Sequence, residues 1–242
     1  MPEPAANTST GLFVSAPLYS RMRTSGLLAA ELKATVTVLL PPAMFRSRSF
    51  TADLLTQLAF WCGQASFFLV LALYLQQGRG LSALDAGLVF TIMAVAYVAA
   101  SAQAPALVMR YGRRLLAIGA LVLASGHGLL LAAVAHIGVG GSIVELVPGL
   151  VLIGAGMGLV LVPLTTTILS SVDTRHAGGA SGAVTTMQNV GGALGVAITG
   201  VIFFGALHGG YAHALELSLG ELGALLVGVA ALTRLLPATP RA

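Results

Sequence analysis

The sequence predicts an all-α membrane protein with six transmembrane helices, and three observations carry that expectation. The 242 residues are 57% hydrophobic and only 8% charged, whereas soluble domains carry about a quarter charged residues. Six apolar stretches have the length, roughly 20 residues, that crosses about 30 Å of hydrocarbon. The basic residues gather at alternate ends of those stretches, as they do where positive charge is retained on the cytoplasmic side.

The expected spans run approximately from Asp53 to Leu75, Leu84 to Met109, Leu115 to His136, Leu146 to Ser170, Gly178 to Leu207 and Leu219 to Leu236. Three of them open on a Ser-x-x-Asp/Glu capping box, Ser82 with Asp85, Ser142 with Glu145 and Ser218 with Glu221. In that pattern the serine oxygen accepts from a free N–H of the first turn while the acid reaches back to the cap. The boxes precede the second, fourth and sixth spans, so all three start on one side of the membrane. Capping and the helix dipole account for these acids without any role in proton transport.

Orientation follows from the cations. Arg21, Arg23, Lys33, Arg46 and Arg48 precede the first span; Arg110, Arg113 and Arg114 join the second to the third; Arg175 joins the fourth to the fifth; Arg234 and Arg241 end the chain. Only Arg79 falls on the opposite side. The expectation is a multi-pass protein of the cell membrane, with both termini cytoplasmic and the capping boxes outside.

The chain divides into a cytoplasmic N-terminal segment over 1–50, partly mobile, a transmembrane domain over 51–236 and a short cytoplasmic tail over 237–242. Residues 27–40 are apolar but too few to span, and Glu31 and Lys33 interrupt them, which suits an interfacial helix better than a secretory leader. A formal charge of +4 from 12 Lys+Arg and 8 Asp+Glu is too sparse for a nucleic-acid-binding face. The single cysteine, Cys62, rules out an intrachain disulfide and a multi-cysteine metal site and reads as a small buried apolar residue. No cofactor or metal is expected.

Polar residues inside spans are the best pointers to a pathway, because lipid makes them costly. In the first span Asp53, Gln57, Trp61, Gln64 and Phe68 recur at helical spacing on one face, which suits a wall for an amphipathic organic ligand. In the fifth, Ser181, Thr185, Gln188, Gly192, Gly195 and Thr199 form a comparable stripe with Asn189 at its edge, and Tyr97 and Ser101 do so on the second. The competing reading is that these groups only bond neighbouring helices. No acid falls near the middle of any expected span, so a proton-carrying carboxylate is not visible. His127, the only histidine well inside a span, reads first as a helix-to-helix hydrogen bond. Pro163 should bend the fourth span, as a hinge or a fixed kink. Gly154 with Gly158, Gly178 with Gly182 and Gly191 with Gly195 make Gly-x-x-x-Gly faces, expected to pack within the bundle rather than to dimerise.

Arg110-Tyr111-Gly112-Arg113-Arg114 is the most specific local feature. Gly112 allows a tight reversal and the arginines hold the loop inside. The stretch Pro105-Ala106-Leu107-Val108-Met109-Arg110-Tyr111-Gly112-Arg113-Arg114 resembles the Gly-x-Leu-x-Asp-Arg-x-Gly-Arg-Arg loop of the major facilitator superfamily, with Pro105 for the first glycine and Met109 for the acid. Gly154-Ala155-Gly156-Met157-Gly158, Pro163-Leu164-Thr165-Thr166, His176-Ala177-Gly178-Gly179-Ala180-Ser181-Gly182 and Gln188-Asn189-Val190-Gly191-Gly192-Ala193-Leu194-Gly195 are similar to the late spans of its fourteen-span drug:proton antiporter branch. Phe45-Arg46-Ser47-Arg48-Ser49-Phe50 looks like the lead-in to that branch's C-terminal six helices. The motifs cover about Pro42 to Leu236.

The resemblance implies two inverted three-helix repeats, spans one to three and four to six, forming one half of a transporter. Its implied function is proton-coupled efflux of a small amphipathic or cationic organic substrate, completed by an N-terminal half or a homodimer partner. The implied substrate pathway comprises Gln57, Trp61, Gln64, Phe68, Tyr97, Thr185, Gln188 and Asn189. The implied gating loop comprises Arg110, Gly112, Arg113 and Arg114, with Arg113 or Arg114 leaning toward Asp173 in place of the acid lost at Met109.

Two rivals stand beside it. One is an inactive or accessory truncated subunit. The other is an intramembrane serine protease built on Gly179-Ala180-Ser181-Gly182 and His213. Ser181 and His213 bracket the fifth span, so roughly 40 Å of helix separates them, against a hydrogen-bond reach of about 3 Å.

Overall fold

The computed structural model describes residues 48–112, 114–170, 172–174 and 177–235. The expected interfacial helix over 27–40, Arg113, Arg175 and the tail over 237–242 lie outside the described residues. The described chain forms helices throughout: α1 (Arg48–Leu73), α2 (Ala83–Tyr111), α3 (Arg114–Ile137), α4 (Val147–Ser170), α5 (Ala177–Ala206) and α6 (Tyr211–Leu235). A π-helical turn, Tyr74–Gly78, extends α1, and single 3₁₀ turns precede α4 and follow α5.

Five helices have both the length and the apolarity a membrane crossing needs: Phe50–Gly78, Ala83–Tyr111, Arg114–Ile137, Ile143–Ser170 and Ala177–Gly209. The sixth, α6, has the length at 25 residues, and its first half carries Glu216 and Glu221. It starts eight residues before the expected Leu219. The break is at Gly209-Gly210, where Gly210 takes φ +92°, a conformation that glycine adopts without penalty.

That shift overturns one of the three expected caps. Ser218 sits inside α6, fully buried, and its hydroxyl donates to the Ala214 carbonyl at 2.9 Å. Ser82 caps α2 as expected, accepting from the Asp85 N–H at 3.2 Å, while its hydroxyl donates to the Asp85 carboxylate at 2.7 Å. Ser142 accepts from the Val144 N–H at 3.3 Å and opens the 3₁₀ turn before α4. α4 runs without interruption through Pro163.

Close packing follows the glycines. On α4, a Cβ at Gly154 would land on the carbonyl oxygen of Met93, and one at Gly158 would lie 2.7 Å from that of Tyr97, both on α2. On α5, Cβ atoms at Gly191 and Gly195 would land on the carbonyl oxygens of Leu58 and Cys62 on α1. Two Gly-x-x-x-Gly faces thus bring backbones into direct contact where lipid provides no hydrophobic drive. The third pair behaves differently, since nothing lies within 4 Å of a Cβ at Gly178 or Gly182. The expectation of packing within the bundle fails there, because the first turns of α5 bury the Gly179, Ala180 and Ala183 face and leave the Gly178 and Gly182 face open.

Opposite faces of α4 are notched as well. Gly149 and Gly156 lie against Leu130 and Leu123 of α3, while Gly119 and Gly126 of α3 receive Val160 and Ile153 of α4. Exchanging α1 with α4, α2 with α5 and α3 with α6 maps the α1–α5 pair onto α4–α2 and leaves the α3–α6 contact in place. That is the relation expected of two three-helix repeats. The core fills with Phe67, Leu71, Tyr74, Leu123, Leu130, Leu150, Ile153 and Phe203, all fully buried, and apolar residues such as Leu84, Leu121 and Val201 point outward, as lipid-facing helices require.

Candidate substrate pathway and loop sites

The polar face of α1 is turned inward. Gln57 and Gln64 are 0% and 3% exposed, and Trp61 and Phe68 are half-buried. Neither the Oε1 nor the Nε2 of Gln57 has a hydrogen-bond partner in the protein, and the same holds for Trp61 Nε1 and Gln64 Oε1. Buried polar atoms are almost always paired, because an orphan costs about 1–3 kcal/mol. Four such atoms on successive turns of one helix demand a ligand or solvent. Aromatic rings line the same stretch: Phe60 meets Trp61 edge-on at 6.3 Å, and Phe68 meets Phe90 of α2 at 5.8 Å.

One turn before Gln57, Asp53 lines a cleft of about 190 Å³ shared with Val108, Gly112, Leu116, Pro163 and Thr167. Ends of α1 to α4 meet there. The cleft takes in Asp53 of the α1 polar face and Gly112 of the expected gating loop, but none of the expected pathway residues. The orphaned amides continue up α1 from its floor, at the one- to two-turn spacing of a helical face.

The α5 stripe does not share one environment. Ser181, Thr185 and Asn189 are exposed, Gln188 is half-buried, and Gly195 and Thr199 are buried. The Thr185 hydroxyl donates to the Ser181 carbonyl at 3.1 Å. Helix α1 covers this face from Gly191 onward, so the first half of the stripe looks away from the bundle and the second half faces into it. Tyr97 on α2 is half-buried and packs against the core, and Ser101 donates to the Val98 carbonyl at 3.0 Å.

In the inner loop, Gly112 ends α2 with φ +54°, and its N–H donates to the Val108 carbonyl at 2.7 Å. Arg110 lies exposed with its guanidinium 5.5 Å from the Tyr111 ring centroid. Arg114 and Asp173 are also exposed; Arg113, the other arginine expected near Asp173, lies outside the described residues. His127 is buried, but its Nδ1 pairs with the Leu123 carbonyl of its own helix at 2.9 Å, and its ring meets Phe67 of α1 edge-on at 5.1 Å. The expected helix-to-helix hydrogen bond is therefore replaced by a ring contact. Ser181 lies in the first turns of α5 and His213 in the first turn of α6, beyond the far end of α5, where it faces Glu216 at 4.0 Å. Among the described residues no cluster of three His, Cys, Asp or Glu could hold a metal.

One cluster escaped the sequence reading. At the end of α1 the Tyr74 hydroxyl donates to the Gly138 carbonyl, and Arg79 donates to the Tyr74 hydroxyl at 3.2 Å and to the Gly141 carbonyl. Tyr211, at the start of α6, donates to Gln77 Oε1 at 3.1 Å. This clasp ties the α1–α2 connection to the α3–α4 connection and to α6. Its signal was Arg79 itself, the one cation away from the arginine side. Tyr74→Phe is expected to cost about 1 kcal/mol, read as a lower Tm and faster amide exchange around Gly138; unchanged exchange there would speak against the clasp.

The Major Facilitator Superfamily profile matches residues 6–196. The chain belongs to that superfamily. The match begins well before Pro42, so it takes in part of the N-terminal segment that the motifs left out. The chain is 35% identical over 186 residues to the probable actinorhodin transporter of Streptomyces coelicolor, covering 75% of this chain and 32% of that protein. It is 31% identical over 196 residues to the puromycin resistance protein pur8 of Streptomyces alboniger, covering 78% of this chain and 39% of the relative. It is 30% identical over 231 residues to the cephamycin export protein CmcT of Amycolatopsis lactamdurans, covering 89% and 46%. The chain thus spans between a third and a half of the length of these relatives. It is thus a multi-pass membrane protein of this superfamily.

Proposed function

We propose that the chain forms the C-terminal six-helix half of a drug:proton antiporter of the fourteen-span branch, exporting an amphipathic or cationic organic molecule across the cell membrane. The observation that carries this reading is the row of unpartnered buried polar atoms on Gln57, Trp61 and Gln64 beside aromatic rings. It supplies hydrogen bonds and stacking surface along one helix that rises from a cleft. Three relatives whose names concern actinorhodin transport, puromycin resistance and cephamycin export support a bulky organic substrate.

In this reading the arginines lie at the inner face and both termini are cytoplasmic. Tyr97, Thr185, Gln188 and Asn189 extend the pathway on α2 and α5, and Arg110, Gly112, Arg113, Arg114 and Asp173 form the inner gate. The exposed positions of Thr185, Asn189, Arg110, Arg114 and Asp173 suit contact with an N-terminal half or a second copy. The test is dye efflux from cells expressing this chain alone and together with an N-terminal six-helix half. Efflux that requires the partner and is abolished by a protonophore is the expected result. Absence of efflux in both cases would instead favour an accessory subunit.

A further inference from the structure

A carboxylate sits at mid-depth in the bundle. With α6 starting at Tyr211, Glu221 lies near the midpoint of its helix, not in a cap at its start. Two neighbours fix its level. Leu222 and Leu225 of α6 pack against Gly63 of α1, and the Glu221 charge is close enough to bear on Cys62. Cys62 is near the midpoint of the Phe50–Gly78 crossing, and Gly195, seated on its carbonyl, is near the midpoint of Ala177–Gly209. Three helices therefore agree on the depth.

The junction is polar and incompletely paired. Glu221 Oε2 is shielded from solvent and has no hydrogen-bond partner in the protein. Thr199, one turn beyond Gly195 on the face of α5 turned to α1, is 1% exposed and its hydroxyl is likewise unpartnered. Ser66, one turn beyond Cys62, is fully buried and donates to the Cys62 carbonyl at 2.7 Å. Two shielded, unpartnered side-chain oxygens on α5 and α6, one of them a carboxylate oxygen on a helix packed against the α1 crossing, are costly to leave unpaired.

We infer that Glu221 is a membrane-embedded proton-binding site where α6 meets α1, separate from the Gln57–Gln64 face. The carboxylate takes up a proton to become the neutral acid and gives it back unchanged, so no other reactant is consumed. Opposing groups are few. From α1 the titratable neighbour is the Cys62 thiol; α5 has no titratable side chain along its length. α3 carries Arg114, His127 and His136, of which His127 is engaged by Leu123 and Phe67. Glu216, the other acid of α6, faces His213 instead. The site deepens the antiporter reading and rests on it for its role, though not for its existence.

The test uses the full chain in phosphatidylcholine–phosphatidylglycerol vesicles. Infrared difference spectra between acidic and alkaline buffer are compared for the wild type, Glu221→Gln and Glu216→Gln. The expected result is a carboxylic C=O band at the high-frequency, unsolvated edge of the region, lost in Glu221→Gln and kept in Glu216→Gln. No band assignable to Glu221, or one at the hydrated position, overturns the inference. In vesicles that also hold a partner half, Glu221→Gln should lose proton-driven dye accumulation but keep dye exchange at equilibrium, and Glu221→Asp should restore accumulation. Undiminished proton-driven accumulation in Glu221→Gln overturns it as well. A wild type that moves no dye at all counts against the antiporter reading, while the infrared band still decides the site.

Discussion

Gly195→Ala is expected to destabilise the protein by about 1–3 kcal/mol, the cost of forcing an extra methyl into a filled interface. The added Cβ would fall on the Cys62 carbonyl oxygen, and backbone cannot rotate out of the way as a side chain can. Helices α1 and α5 must separate, giving up the weak Cα–H···O contacts and dispersion that hold them. Gly154→Ala should act alike through the Met93 carbonyl of α2. Gly182→Ala is the control. Its Cβ meets nothing within 4 Å, and alanine in a helix is favoured over glycine by about 0.5–1 kcal/mol. Thermal unfolding in detergent should place the first two variants below the wild type and the third at or above it. A Gly195→Ala variant as stable as Gly182→Ala would dismiss the close approach of α1 and α5.

The second large effect has opposite signs for stability and activity. Gln57→Met and Gln64→Met remove buried amides that lack partners and keep nearly the same volume. Each should raise stability by about 1 kcal/mol or more, because the penalty of an unsatisfied buried group disappears. Each should also depress dye efflux severely, since the same atoms are the hydrogen-bonding positions offered to substrate. Such a trade is common where a site keeps groups that the fold alone would not select. Lower stability in both variants would show that the amides serve the fold, and the pathway would then have to be sought elsewhere.

Much of the helix layout was readable because lipid leaves few choices. A run of apolar residues must become a helix, and its ends are marked by Gly112, Ser82 or an arginine. Glycines spaced by four announced the α4–α2 and α5–α1 contacts. They could not reveal that Gly178 and Gly182 face outward, since a small residue reads the same on a packed face and an open one. The start of α6 was misplaced because Tyr211, His213 and Glu216 look like loop residues, whereas the informative signal was Gly209-Gly210 just before them. That error moved Glu221 from mid-helix to a cap and hid a carboxylate with a shielded, unpartnered oxygen. The polar face of α1 was legible from spacing alone; that its amides lack partners was not, because pairing depends on which neighbours the fold supplies. The α5 stripe was misjudged for a related reason. Periodicity names a face but cannot say where along the helix a neighbour stops covering it.

Helix α4 is cut on two flanks, at Gly154 and Gly158 for α2 and at Gly149 and Gly156 for α3. A splined shaft held between two matching sockets cannot spin or slide without first being withdrawn. Helices α2, α3 and α4 then travel as one block in any swing between inward and outward orientations, and the give falls to the lighter contacts this block makes with α1, α5 and α6.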